Sequence, residues 1–203
     1  MALMAIACVT AAFPFPATGA PAATAEAPKE DFRVSRERIE MPEQPDAIAV
    51  VVITGRRKFT FLPPAMDWAQ QSDPKEKTIG FTARDLSGSL ELRILPTAVD
   101  LKSCRGRIAQ KFPEARVTSE FACHTAEESG QAFDFERPAA KGAKLLGRLA
   151  YVPFKGGTIE VQMTATPKQF RRAHFMFARV MSSLTVVDLP PPAAAAPPPK
   201  GRL

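Results

Sequence analysis

Alternation and runs of apolar residues divide the chain into short strands and two helices. "AIAVVVI" (47–53) is a short β-branched run that reads as a buried strand. "TGRR" then supplies a turn, and "KFTFL" returns as a second strand with Phe59 and Phe61 on one face. Upstream, "DFRVSRERIEM" fits a first edge strand. Downstream, a polar loop leads to a short strand around Ile79–Thr82 and a turn at Ser87–Gly88. "SLELRIL" alternates cleanly, with Leu90, Leu92 and Ile94 on one face and Glu91 and Arg93 on the other. After Pro96 the period changes. Leu101, Cys104, Ile108 and Phe112 recur at spacings of three and four, which predicts an amphipathic helix over about 98–112, ended by Pro113.

Strand signals then resume. "RVTSEFACHT" places Val117, Phe121 and Cys123 on one face, and "QAFDFER" puts Phe133 and Phe135 opposite Asp134 and Glu136. "KLLGRLAYVPF" and "TIEVQMT" flank a glycine turn at 156–157. A second helix is predicted from Thr166–Pro167, with an inner stripe of Phe170, Ala173, His174, Phe177, Met181 and Leu184 and with Lys168, Arg171 and Arg172 outside. Hairpin-joined strands with one helix inserted and one at the end give an α+β class, an antiparallel sheet packed against two main helices.

The ends have a different composition. Residues 1–25 carry no charged side chain and run from an apolar segment (2–13) into small residues, the pattern of a cleaved signal peptide, although no Lys or Arg precedes the apolar run. Cys8 in "MAIAC" gives a secondary expectation of lipoprotein anchoring. Residues 26–45 read as linker and edge segment, 46–188 as the folded domain, and the Pro/Ala-rich 189–203 as a disordered tail. A secreted or periplasmic location follows, and no other stretch is apolar for long enough to span a bilayer. There is no Asn, so N-linked glycosylation is excluded.

Lys and Arg number 27 against 21 acids, and the net charge of +6 is scattered rather than gathered into the stripe of a nucleic-acid binder. Three local basic sets stand out: Arg56, Arg57 and Lys58 in the first turn; Arg105, Arg107 and Lys111 on the first helix; Lys168, Arg171 and Arg172 on the second. They are candidates for docking an anionic polymer, a membrane surface or an acidic envelope protein. The sequence has no G-x-S-x-G, H-E-x-x-H, G-x-x-x-x-G-K-[ST] or G-x-G-x-x-G motif, and only two His. No catalytic, metal-binding or cofactor set is therefore expected. Glu127–Glu128, Asp134 and Glu136 read as solvated carboxylates. In an oxidising compartment, Cys104 and Cys123 read as one disulfide closing a loop of about 20 residues, worth roughly 3 kcal/mol. Two buried free thiols, or a metal or redox centre, remain the alternatives.

"FTFLPPAMDW" (59–68), "YVPFKGGTIEVQMTATPKQF" (151–170) and "FMFARVMSSLTVV" (175–187) together resemble the PsbP-like family over roughly residues 57–187. The resemblance implies a secreted or lumenal α+β sandwich concerned with binding or assembly, with no reaction of its own. It also implies that Trp68 folds back onto the sheet as a structural aromatic beside Phe59, Phe61, Phe170 and Phe177. The N-terminal extension and the Pro-rich tail depart from the family pattern. An alternative reading is a carrier holding a small apolar ligand between sheet and helices; a third is an unrecognised enzyme.

Overall fold

The computed structural model describes residues 32–41, 44–65, 67–85, 87–139 and 142–190. The expected signal segment with Cys8, the linker before Phe32, and the tail beyond Pro190 lie outside the described residues. The class is α+β, as expected, but the strands divide into two antiparallel sheets. β1 (Phe32–Met41), β2 (Gln44–Thr54) and β3 (Arg57–Phe61) form a meander that β11 (Thr185–Asp188) joins at its far edge. The edge segment expected to precede the domain is thus a strand paired with β2, and its Phe32 is buried in the core.

The larger sheet holds β4 (Trp68–Asp73), β5 (Thr78–Ala83), β6 (Gly88–Leu95), β7 (Arg116–His124), β8 (Ser129–Pro138), β9 (Lys144–Phe154) and β10 (Gly157–Ala165), in the order β4-β5-β6-β10-β9-β8-β7. From β6 the chain crosses one face through a 3-10 turn (Leu101–Ser103) and α1 (Cys104–Lys111), reaches the far edge as β7, and returns by hairpins until β10 pairs with β6. α2 (Phe170–Ser183) packs on the other face, over β6 and β10, and touches β3 of the smaller sheet. β4 was not foreseen. "WAQQSD" has one large apolar residue, and as an edge strand it needs no more. Both helices start later than the periodicity suggests, because the stripe continues into the turns before them.

Two cores result. Phe59 and Phe61 of the small sheet meet Phe154 and Phe81 of the large sheet edge to face, at centroid distances of 5.3 and 6.2 Å, and Phe177, Val180 and Met181 of α2 close that layer. On the opposite face, Cys104 and Ile108 of α1 cover Phe133, Phe135, Leu149 and Tyr151. Gly147 is opposite Phe135, whose ring occupies the space a Cβ would take, and Phe112 stacks on that ring at 5.0 Å.

The expected face of β7 needs correction. A register shift between Val117 and Ser119 turns Val117 toward the α1 core, while Phe121 and Cys123 face the α2 core. The expected Cys104–Cys123 disulfide is corrected as well. Both thiols are free and buried, and they lie in different cores on opposite faces of the large sheet. Burial pushes each up to about 11, so neither is a ready nucleophile.

Candidate functional site

The two hairpin turns of the predicted strands meet at one end of the molecule. Gly55, at φ 56°, lets β2 turn into β3, and Gly156, at φ 90°, lets β9 turn into β10. With Lys77 and the end of β6 they enclose a cleft of about 540 Å³ between the two sheets. Its rim carries Arg56, Arg57, Lys77 and Lys155, and Asp188 is the one carboxylate among its described lining residues. Phe59, Ile94 and Phe154 form the floor.

Arg57 is held in place. Its guanidinium lies 5.1 Å from the centroid of the Phe154 ring, and both Nη atoms sit over Gly156, in space that any side chain there would fill. Its Nε donates to Asp188 Oδ1 at 3.3 Å. Arg56 donates to the Leu189 carbonyl at 3.3 Å, and its own carbonyl accepts from Leu189 N at 2.7 Å. Lys77 is the one described non-glycine residue with positive φ, 51°, and its carbonyl accepts from Ile94 N at 3.1 Å. A lysine held left-handed at a cleft rim is the kind of local strain that clusters at binding sites.

The three expected docking sets are dispersed. Arg56 and Arg57 line the cleft, whereas Lys58 is ion-paired with Glu37 at 2.9 Å. Arg105, Arg107 and Lys111 sit on α1, where Lys111 pairs with the buried Glu160 at 2.6 Å. Lys168, Arg171 and Arg172 belong to the opposite face, at and just before the start of α2; Arg172 pairs with Asp67, and Arg171 lies over Phe175. Since the helices are on opposite faces of the large sheet, no single aligned basic surface forms. Lys77 and Lys155, absent from the sequence-based set, complete the cleft in their place.

Trp68 is buried at the start of β4 among core residues, and no described residue accepts from its Nε1. The cavity beside it measures about 10 Å³, room for a water at most, so the ring is a packing residue. Phe170 packs against the same core, and Phe177 is buried in it. Among the described residues, the interior that a carrier would need open is packed by these buried side chains. His124 ends β7, its Nδ1 3.0 Å from Ser129 Oγ at the start of β8, and it is not among the residues packed round Cys104. Among the described residues, no group of three or more His, Cys, Asp or Glu could hold a metal ion, and no helix is long and apolar enough to cross a membrane.

A second polar constellation lies under α2. Asp134, expected to be solvated, accepts two hydrogen bonds from Arg148, at 2.6 and 2.8 Å. Arg148 is sandwiched between Phe121 and Phe177 at 4.6 and 5.7 Å, and its Nη1 is 2.7 Å from His174 Nδ1. Arginine only donates, so Nδ1 accepts and the ring is neutral. Burial, then the Arg148 charge, hold the His174 pKa below its ordinary value, against the opposing pull of Asp134. The unfolded chain, with a pKa of about 6.5, therefore takes up the proton first, and stability contributed by this contact is present above that pH and lost as pH falls below it through the lower pKa of the folded state. Melting temperatures measured between pH 8 and 5 are expected to drop more for the wild type than for His174→Gln, whose amide accepts from Arg148 without titrating. Equal slopes would refute this.

No protein-family model matches the chain, and no curated protein matches it either. Solved structures similar to it include cyanobacterial PsbP from Synechocystis sp. PCC 6803 (10% identity, 65% of this chain and 87% of that one, TM-score 0.48), a representative of the family its motifs resemble. LpqN, involved in cell envelope biogenesis of Mycobacterium tuberculosis, is similar over 75% of this chain and 91% of its own (13% identity, TM-score 0.43). The Pseudomonas aeruginosa protein PA94, of unknown function, is similar over 78% and 99% (12% identity, TM-score 0.42). Likeness at this level says nothing of function.

Proposed function

We propose that this chain is an exported binding module, with no reaction of its own, that engages carboxylate or phosphate groups of an envelope partner in the cleft between its two sheets. The observation that carries this reading is the convergence of Arg56, Arg57, Lys77 and Lys155 from three separate turns on one cleft, whose described lining residues include a single carboxylate. Cations gathered from separate turns create a local positive potential that a scattered surface excess does not. A size of about 540 Å³ suits the end group of a polymer or a short acidic segment. Export rests on the uncharged, apolar-then-small pattern of residues 1–25.

The test compares the three basic sets with polyphosphate as probe. The full chain is expected to bind it in 20 mM salt and to lose at least tenfold in affinity at 200 mM, because screening shortens the reach of exposed charges. Replacing Arg56, Arg57 and Lys155 by Gln should abolish binding. Replacing Arg105 and Arg107, or Lys168 and Arg171, should cost less than about twofold, as expected of cations on other faces. If a helix set carries the affinity and the cleft set does not, the cleft is not the docking site.

A further inference from the structure

The last described strand also ends at the cleft. β11 has four residues and, among the described strands, pairs only with β3, and its last pair is Asp188 with Arg57. Beyond it, Leu189 is held by two hydrogen bonds to Arg56. The end of the last strand is thus fastened by the same two arginines that form one wall of the cleft. Among the described lining residues, Asp188 is their only built-in anion.

We propose that the Asp188 carboxylate is an internal stand-in for the ligand's anionic group, so that occupation of the cleft and fastening of the β11 end are mutually exclusive. The inference rests on the reading of the cleft as the binding site and adds its regulation. The Asp188 contact is a weak competitor. It is a single hydrogen bond of 3.3 Å to Nε, and the Asp188 side chain is 59% exposed. The Arg57 guanidinium has four more N–H donors, on Nη atoms that sit over Gly156 in the cleft. A phosphate gripping the guanidinium side-on takes Nε together with one Nη, so it needs the donor that Asp188 holds and gains a second hydrogen bond that Asp188, reaching Nε alone, does not make.

Once Asp188 is displaced, the last β3–β11 pair loses its side-chain tie, and Val187, already 53% exposed, has little apolar burial to hold it. The strand end, left with the Leu189–Arg56 hydrogen bonds as its remaining tie beyond the ladder, then frays more readily. Ligand binding in the cleft is thereby reported at the end of β11. By reciprocity, any partner that grips this end of the chain changes the affinity of the cleft by the same factor.

The experiment uses the full chain and inorganic pyrophosphate. Its affinity is measured by calorimetry for the wild type, Asp188→Asn and Arg57→Gln, and amide hydrogen exchange of residues 185–189 is followed in the wild type with and without the anion. Removing the competing charge is expected to tighten binding about three- to fivefold, the range of an exposed ion pair. Arg57→Gln should lose binding, and pyrophosphate should speed exchange at 185–189 in the wild type. If pyrophosphate binds through Arg57 but Asp188→Asn binds no tighter and exchange at 185–189 is unchanged, the exclusion is overturned while the cleft stands. If neither the wild type nor Asp188→Asn binds pyrophosphate, the cleft reading falls and this inference with it. The exchange measurement needs no variant, so a misfolded substitution cannot obscure the result.

Discussion

Arg148→Met is expected to lower stability by about 3 kcal/mol, and the melting temperature by roughly 10 °C for a domain of this size. The Arg148 and Asp134 side chains are 12% and 22% exposed, so the carboxylate left behind is poorly solvated. The methionine also forfeits the guanidinium's contacts with Phe121 and Phe177 and its hydrogen bond to His174. Adding Asp134→Leu should recover at least half of the loss, because the stranded charge is then gone. Arg172→Met is the control. Its ion pair with Asp67 is 50% and 43% exposed, and losing it should cost under about 1 kcal/mol. Urea melts of the four proteins decide the matter. Equal losses for Arg148→Met and Arg172→Met would show that burial of the Asp134 pair contributes nothing.

Gly130→Ala is the second large effect, again about 3 kcal/mol, at the upper end for overpacking. A Cβ at residue 130 would fall on the Tyr151 carbonyl oxygen and crowd the Val152 Cα, both backbone atoms of β9 that no side-chain rotation can move aside. β8 and β9 would have to part near the Gln131–Tyr151 pair, at the end of their ladder. Gly106→Ala, in the interior of α1 where a Cβ meets nothing within 4 Å, should instead stabilise by about 0.5–1 kcal/mol through helix propensity. Opposite signs for these two identical substitutions, read from thermal melts, are the expected outcome. A loss below 1 kcal/mol at Gly130 would mean that the sheet yields there more easily than its packing implies.

Much of the local structure was legible because it depends on near neighbours along the chain. The spacing of Leu101, Cys104, Ile108 and Phe112 marked the inner side of α1, and Phe170, Ala173, Phe177 and Met181 marked that of α2. The alternation in "SLELRIL" gave β6 its face. Where one extra residue enters, alternation fails: the irregularity after Val117 moves Phe121 and Cys123 to the other face from the one counting predicts. Asp134 was misread for a related reason. A strand covered on both sides has no solvent face, and its polar positions are then paired, as Asp134 is with Arg148.

The candidate site was half legible. Arg56 and Arg57 drew notice as part of a basic run, and "TGRR" and the glycine pair at 156–157 both read as turns. Nothing in the sequence says that two turns about a hundred residues apart share a cleft. That follows from two sheets packing face to face, which brings the ends of their hairpins together and adds Lys77 from a third turn.

The sequence by itself determined the class, the faces of the helices and most strands, and the scarcity of catalytic side chains, since these depend on residue chemistry and short-range period. Only the tertiary structure decided that the first hairpin and the last strand form a sheet of their own. Strand pairing is settled by which apolar faces can be buried together, a choice made among distant segments. It also decided that the two cysteines are kept apart by a sheet and that the basic sets on the helices diverge. Arg57 meets Asp188 for the same reason: β3 and β11, far apart along the chain, were brought edge to edge by the core beneath them.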